Sequence, residues 1–272
     1  MFFDDVKLKI GFVLGRYLFD FKGKHLLLKF LNNPYKYKNI YEGKKFTINY
    51  LGVKYEGVLS NFIDWGVYFQ EGFEKGLIKI FFNEIDKKKI DTFIDIGANS
   101  GSISLPIANK VKVICFEPMK YNFEKLKNNF KINKSLKNYS LYNFGASNKN
   151  ELKFIQYSDR HSNIGTASIV RKYKKDNKKE KIKLKILDQL LRFKNKNLIV
   201  KIDVEGYEDK VLEGIKNLIS NNRVFIYVET KNTKLVRKLI SKFKVFYPKF
   251  WYSNYLYLDK KKGDDLIFTN YD

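Results

Sequence analysis

Four apolar runs, each carrying an acid at or near its carboxyl end, constrain this chain more than any other feature. They are "TFIDIG" (92–97), "VKVICFE" (111–117), "LIVKIDV" (198–204) and "RVFIYVE" (223–229). Helical patterns separate them. "SGSISLPIANK" starts one, "KYNFEKLKNNFKIN" another, and after Asp203 a third carries Val211, Leu212, Ile215, Leu218 and Ile219 on one face. Unbroken apolar strands between helices predict a parallel sheet covered on both faces. Right-handed crossovers then predict an α/β, Rossmann-like, doubly wound fold. "YSLYNFGA" (139–146) and "ELKFIQY" (151–157) read as further strands. "KLVRKLISKF" reads as a helix, and "NYLYL" with "DDLIFTN" closes the chain. Before Asp91 the pattern differs. Residues 1–31 are helix-like, residues 40–60 alternate as strands broken by Gly43, Gly52 and Gly57, and Phe73–Ile85 reads as a helix. The division is an extension over 1–90 and a main domain over 91–272.

The first strand's end holds the strongest local motif. In "FIDIGANSGS", Gly97 and Gly101 bracket a turn into a helix, and ligands of open α/β sheets bind at such strand ends. Glu117 follows Gly97 by about 20 residues, the spacing at which an acid holds ribose hydroxyls. Asn99 and Ser102 stand where a dinucleotide fingerprint has its second and third glycines, so a pyrophosphate is not expected. A ribose-bearing cofactor without a pyrophosphate fits better. S-adenosylmethionine is one: its ammonium could meet Asp95, its carboxylate the helix N-terminus and its ribose Glu117. Pro106 cannot donate to residue 102, so the helix begins late or kinks.

The net charge of +24 suggests either a polyanionic partner or AT-rich codon usage. The excess is almost all Lys, whereas nucleic-acid readers favour Arg for bidentate contacts, so codon usage is preferred. The densest cluster, Arg171–Lys185, alternates in its second half and reads as a half-buried strand with a lysine face. No apolar run approaches the roughly 20 residues of a membrane-spanning helix. Asp4 and Asp5 stand where a secretory signal carries positive charge, so a cytoplasmic protein is expected. The single Cys115 sits in an apolar strand and reads as an inert core thiol. On the first helix Val6, Ile10, Val13, Leu14, Tyr17 and Leu18 form one stripe, expected to pack on the main domain. The mixture of aromatics and lysines there also allows peripheral membrane contact.

Together, "FIDIGANSGSIS", "VICFEPMKYNFEKLKNNFKIN", "YNFGASN", "SNIGTASI", "LKILDQLL", "LIVKIDVEGYEDKVLEG" and "VFIYVET", in this order over about residues 90 to 230, resemble the FkbM family of S-adenosylmethionine-dependent methyltransferases. "GVYFQEGFE" (66–74) is a looser match to a segment that precedes the motif in that family. The resemblance implies a class I methyltransferase fold with a mainly parallel seven-stranded sheet, helices on both faces and O-methylation of hydroxyls, often on sugars. It implies that Asp95, Gly97, Asn99 and Gly101 line the methionine end of the cofactor. Glu117 would bind the ribose, and Asn143 and Ala146, at the end of the third strand, would border the adenine. Gly145 stands where the family usually has a larger residue.

Methyl transfer is an in-line displacement that needs alignment and an activated nucleophile. Asp203 ends the strand next to the first one and is the expected substrate-orienting group or base, with Glu229 as second acid. Those two carboxylates could hold Mg²⁺, but Thr230 stands where a third oxygen ligand would strengthen that case, so a metal is not favoured. Glu205 and Glu208 read as supports at a helix start. His161, in a polar loop, could be a base or contact the substrate, and Arg160 beside it could bind an anionic group on the substrate. His25 is given no role. The acceptor is expected to be a small molecule or glycan, with an anionic glycan suiting the charge. RNA methylation by the basic surface, or an idle partner-binding domain, are the alternatives.

Overall fold

In a computed structural model the described residues are 2–17, 24–32, 42–70, 72, 74–158, 168–169, 177–230, 236, 244–246 and 265–270. His161, Arg160, the first half of the Arg171–Lys185 cluster, "NYLYL" and nearly all of "KLVRKLISKF" lie outside them, as does the side chain of His25.

The apolar runs form the centre of a seven-stranded sheet. In chain order its members are β3 (Thr92–Ile96), β4 (Lys112–Phe116), β5 (Tyr139–Tyr142), β9 (Asn197–Ile202), β10 (Arg223–Glu229), β11 (Lys244–Phe246) and β12 (Asp265–Thr269). Their spatial order is β11-β12-β10-β9-β3-β4-β5. β10, β9, β3, β4 and β5 run parallel, and β12 is antiparallel to both of its neighbours. Chain order reverses direction between β3 and β9, which opens a crevice at their carboxyl ends. Alternation sorts the strand residues. Ile94, Ile96, Val200, Ile202 and Ile226 enter the core on one face, while Phe93, Val113, Ile199 and Phe225 enter the core on the other. Cys115 lies in the second core, where burial and then Asp95 push its thiol well above the ordinary value. The thiolate is thereby suppressed, as an inert core cysteine requires.

Residues before Asp91 build onto this frame. β1 (Lys45–Tyr50) and β2 (Val53–Val58) form a hairpin. Helices α1 (Phe2–Tyr17), α2 (Lys24–Asn32), α3 (Phe62–Gln70) and α4 (Lys75–Lys88) accompany it. Tyr50, Tyr55, Val67, Leu77 and Phe81 share one core with Phe93 and Ile199. The hairpin's open edge is closed by side chains rather than by a strand. From α6 (Lys120–Ile132), Asn129 Oδ1 accepts the Glu56 N–H at 2.8 Å, and Asn133, one residue past its end, bonds both the N–H and the carbonyl of Lys54. The i, i+4 spacing puts both amides on one helix face.

Three expectations are corrected, and the helix around Pro106 begins late, as expected. The apolar stripe of α1 faces outward: Val6, Ile10, Val13 and Tyr17 are exposed, while Gly11 and Gly15 are buried. A Cβ on Gly15 would strike the Phe69 carbonyl, and one on Gly11 the Asn32 amide. The glycines therefore give the closest helix approach, and packing chooses their side. Leu14 is only half-buried, against a small core of Leu28, Leu59, Trp65 and Phe69, and Leu18 lies outside the described residues. "YSLYNFGA" divides, because Gly145–Ala146 leaves the main sheet as β6. It joins β7 (Glu151–Ser158) and β8 (Asn177–Lys185) in a second sheet of order β6-β8-β7. The helix after Asp203 is two short helices, α7 (Glu208–Gly214) and α8 (Lys216–Ser220). Gly214 packs against the Ser147 carbonyl, where a Cβ does not fit. The helix around Pro106 shrinks to α5 (Ser104–Ile107), consistent with the missing donor.

Candidate active site

The carboxyl ends of β3, β4, β9 and β10 open into a cleft of about 300 Å³. The turn after β3 shapes its floor. Gly97 has φ 85° and lies against the Asp203 carbonyl, so a side chain is barred there on both counts. The N–H groups of Gly97 and Ala98 both donate to the Phe116 carbonyl, and the Asp203 N–H donates to Ile96. Asn99 also takes a left-handed conformation, and its Oδ1 accepts the Ser100 N–H at 2.8 Å.

Glu117 is fixed by the same turn. Its Oε2 accepts the Asn99 N–H and its Oε1 the Met119 N–H, both at 2.9 Å. Burial pushes this carboxyl up to about 7, although the two backbone N–H groups oppose the shift. Each oxygen retains a lone pair for a further donor. Asn143 does not line the cleft. Its amide donates to the Glu117 and Pro118 carbonyls and braces the strand end. Gly101 is also a support: at φ 84° it makes room for Leu126. Ala146 and Gly145 do line the cleft, together with Pro118, Met119 and Leu184. A Cβ on Gly145 would come within 2.7 Å of Leu184. The glycine in "FGAS" thus lets β8 lie close over this end of the cleft.

One functional candidate went unread in the sequence. Lys201 is the register partner of Asp95 across β9 and β3, and both are buried. Its Nζ lies 3.2 Å from Asp95 Oδ1, 3.3 Å from the Gly97 carbonyl and 3.4 Å from Asp203 Oδ2. The Ser104 hydroxyl occupies the other oxygen of Asp95. Burial favours a neutral amine, but Asp95, Asp203 and Glu74 outweigh it and hold the ammonium protonated. The visible signal was a lysine inside an otherwise apolar strand, where an unpaired charge would be very costly. Asp203 has 29% of its side chain exposed and faces the cleft from above this lysine. Glu229, Glu205 and, from the segment before α4, Glu74 also line it. Among the described lining residues six thus carry a carboxyl group and one an amine.

The two glutamates after Asp203 separate. Glu205 has φ 52°, its carbonyl accepts the Ser168 hydroxyl, and it lines the cleft. Glu208 supports the helix start: its Oε1 accepts the Gly206 N–H at 2.7 Å. Its carboxyl is raised, mainly by burial.

Residues 95–248 match the family model described as the methyltransferase FkbM domain. The chain belongs to the FkbM methyltransferase family. It is an S-adenosylmethionine-dependent methyltransferase, and its seven-stranded sheet with one antiparallel strand is the class I methyltransferase arrangement. Among solved structures it is similar to an FkbM methyltransferase from Methylobacillus flagellatus KT, with 15% identity and a TM-score of 0.44 over 98% of this chain and 60% of that one. It is also similar to an rRNA methylase from Streptococcus thermophilus, with 12% identity and a TM-score of 0.39 over 66% and 85% of the two chains. A Pyrococcus abyssi tRNA (uracil-54, C5)-methyltransferase in complex with S-adenosyl-L-homocysteine gives 8% identity and a TM-score of 0.45 over 83% and 43%. No curated protein matched. Among the described residues of this FkbM protein no three His, Cys, Asp or Glu side chains are grouped to hold a metal, and no helix is long and apolar enough to cross a membrane.

Proposed function

We propose that this FkbM protein methylates a hydroxyl of an uncharged sugar, glycan or related small metabolite. The observation that carries the reading is the excess of carboxylates in the cleft. Carboxylates accept hydrogen bonds from hydroxyls and repel phosphates and other anions. An RNA or an acidic glycan suits the surface charge but not this cleft.

The residues fit the cofactor. Asn122 Oδ1 is buried in the cleft wall with no hydrogen-bond partner, an acceptor awaiting a ligand's N–H or O–H. Glu117 can take ribose hydroxyls on its remaining lone pairs. Ala146 and Gly145, with Pro118, Met119 and Leu184, give that end of the cleft an apolar lining suited to the adenine. S-adenosylmethionine, when bound, supplies an electrophilic methyl group on a sulfonium, whose positive charge suits the carboxylates. Lys201 orients Asp203. Asp203 hydrogen-bonds the acceptor hydroxyl and takes its proton, and Glu229 is the second acid for positioning the acceptor.

Calorimetry with S-adenosyl-L-homocysteine, followed by a methyl-transfer screen over sugars and glycans, tests this. Asp203→Asn is expected to keep cofactor binding and lose ~10²–10⁴-fold in transfer rate. Absence of cofactor binding by the wild type, or transfer to RNA alone, sinks the proposal.

A further inference from the structure

We propose that the outward face of the α1–α2 pair docks on an anionic lipid membrane. On α1, Val6, Ile10, Val13 and Tyr17 recur at i, i+4, i+7 and i+11 and form one exposed stripe, with Val13 53% and Tyr17 78% accessible. On α2, Leu26 and Phe30 are exposed as well, Phe30 at 80%. The inward side of α1 is already used, since Gly11 and Gly15 close against Asn32 and Phe69. Among the described residues the stripe therefore has no remaining core to enter.

Charge chooses the occupant. Helical geometry places Lys7 on one flank of the α1 stripe and Lys9 on the other, and both are exposed. An apolar stripe between two cationic flanks is the pattern of a helix lying in the plane of a membrane interface. The net charge of +24 adds long-range attraction to anionic headgroups. A second copy of the chain would bring the same positive charge to the contact, which opposes self-association through this face. The proposal does not depend on the reading of the cleft.

Vesicle co-sedimentation tests it, with phosphatidylethanolamine–phosphatidylglycerol vesicles against phosphatidylcholine vesicles. The full chain is expected to partition to the anionic vesicles. Ile10→Glu with Val13→Glu is expected to weaken partitioning more than ~10-fold, and Lys7→Gln or Lys9→Gln about fivefold each. Ile10→Ser with Val13→Ser is a milder second pair, and circular dichroism checks that each variant is folded. Equal partitioning of wild type and both double variants would overturn the proposal, because diffuse charge alone would then explain binding. So would failure of the wild type to bind anionic vesicles. A wild-type dimer that the Glu pair dissolves, without vesicle binding, would assign the face to a second copy instead.

Discussion

Lys201 and the pair Lys7 and Lys9 are the same side chain in opposite surroundings. Lys201 is buried between Asp95 and Asp203 at the floor of the cleft. Lys7 and Lys9 are exposed beside apolar side chains on the outer helix. The chain as a whole is strongly basic, yet the charged side chains described in its cleft are six acids and one lysine. Net charge thus describes how the surface meets distant partners, whereas the cleft's chemistry follows from a handful of placed groups. The uncharged acceptor proposed above rests on those placed groups, not on the net charge.

The comparison breaks most visibly at Lys201. Lys201→Met leaves Asp95 buried with the Ser104 hydroxyl but without its cation, at a cost of ~3–5 kcal/mol. It also releases Asp203 from its orientation. Thermal and urea unfolding should show that loss, together with loss of S-adenosyl-L-homocysteine binding. Lys7→Met with Lys9→Met should change stability by no more than ~0.5 kcal/mol.

The centre of the sheet was legible because the apolar runs of β3, β4, β9 and β10 report burial on both faces, and the acid at or near each end reports the cleft. The glycine turn and Glu117 were legible for the same reason. What escaped depended on which of two surfaces a segment chose. The α1 stripe predicts its own inward face only if apolar burial decides packing, and in α1 the two glycines decide it. Lys201 was hidden in "LIVKIDV" because a lysine in a strand reads as solvated until its cross-strand register places it beside Asp95. Ile63 and Glu74 line the cleft from before Asp91; Glu74 ends the loosely matched "GVYFQEGFE", while nothing in the local sequence marks Ile63. The break between β5 and β6 comes from β8 packing over Gly145, a contact spanning about 40 residues.

Glu117 sharpens the comparison through pH. Its folded pKa is raised to about 7 from an ordinary 4.5, so between those values the folded state holds a proton that the unfolded state has released. Stability of the cofactor-free protein should therefore fall as pH rises from about 4.5 to about 7, by at most ~2–3 kcal/mol from this group. Glu117→Gln should flatten that slope, and the raised Glu208 should preserve part of it. Hydroxyl donors favour the ionised carboxylate. The gain in melting temperature from S-adenosyl-L-homocysteine should consequently be larger at pH 8 than at pH 5.5. Equal gains at both pH values would show that Glu117 does not meet the ribose.

The smallest effect expected concerns the contact between the two regions. Asn129 Oδ1 accepts from Glu56 in the hairpin, and its Nδ2 donates to the Ser100 carbonyl in the turn beside the cleft at 3.0 Å. Ser100 also meets the Tyr55 hydroxyl, which bonds Asp64, and Asp64 takes the Lys125 ammonium. This buried network, rather than a surface charge, ties the residues before Asp91 to the turn after β3. Asn129→Ala removes one partner from each of two backbone groups, at ~1–2 kcal/mol. Because one of those groups lies in the turn itself, the variant should weaken S-adenosyl-L-homocysteine binding as well as stability. Hydrogen exchange should show faster opening in both β2 and residues 97–101. Faster exchange in β2 alone would mean that the hairpin covers the cleft's neighbour without setting its geometry, and the region before Asp91 would then be energetically separate from the acidic cleft.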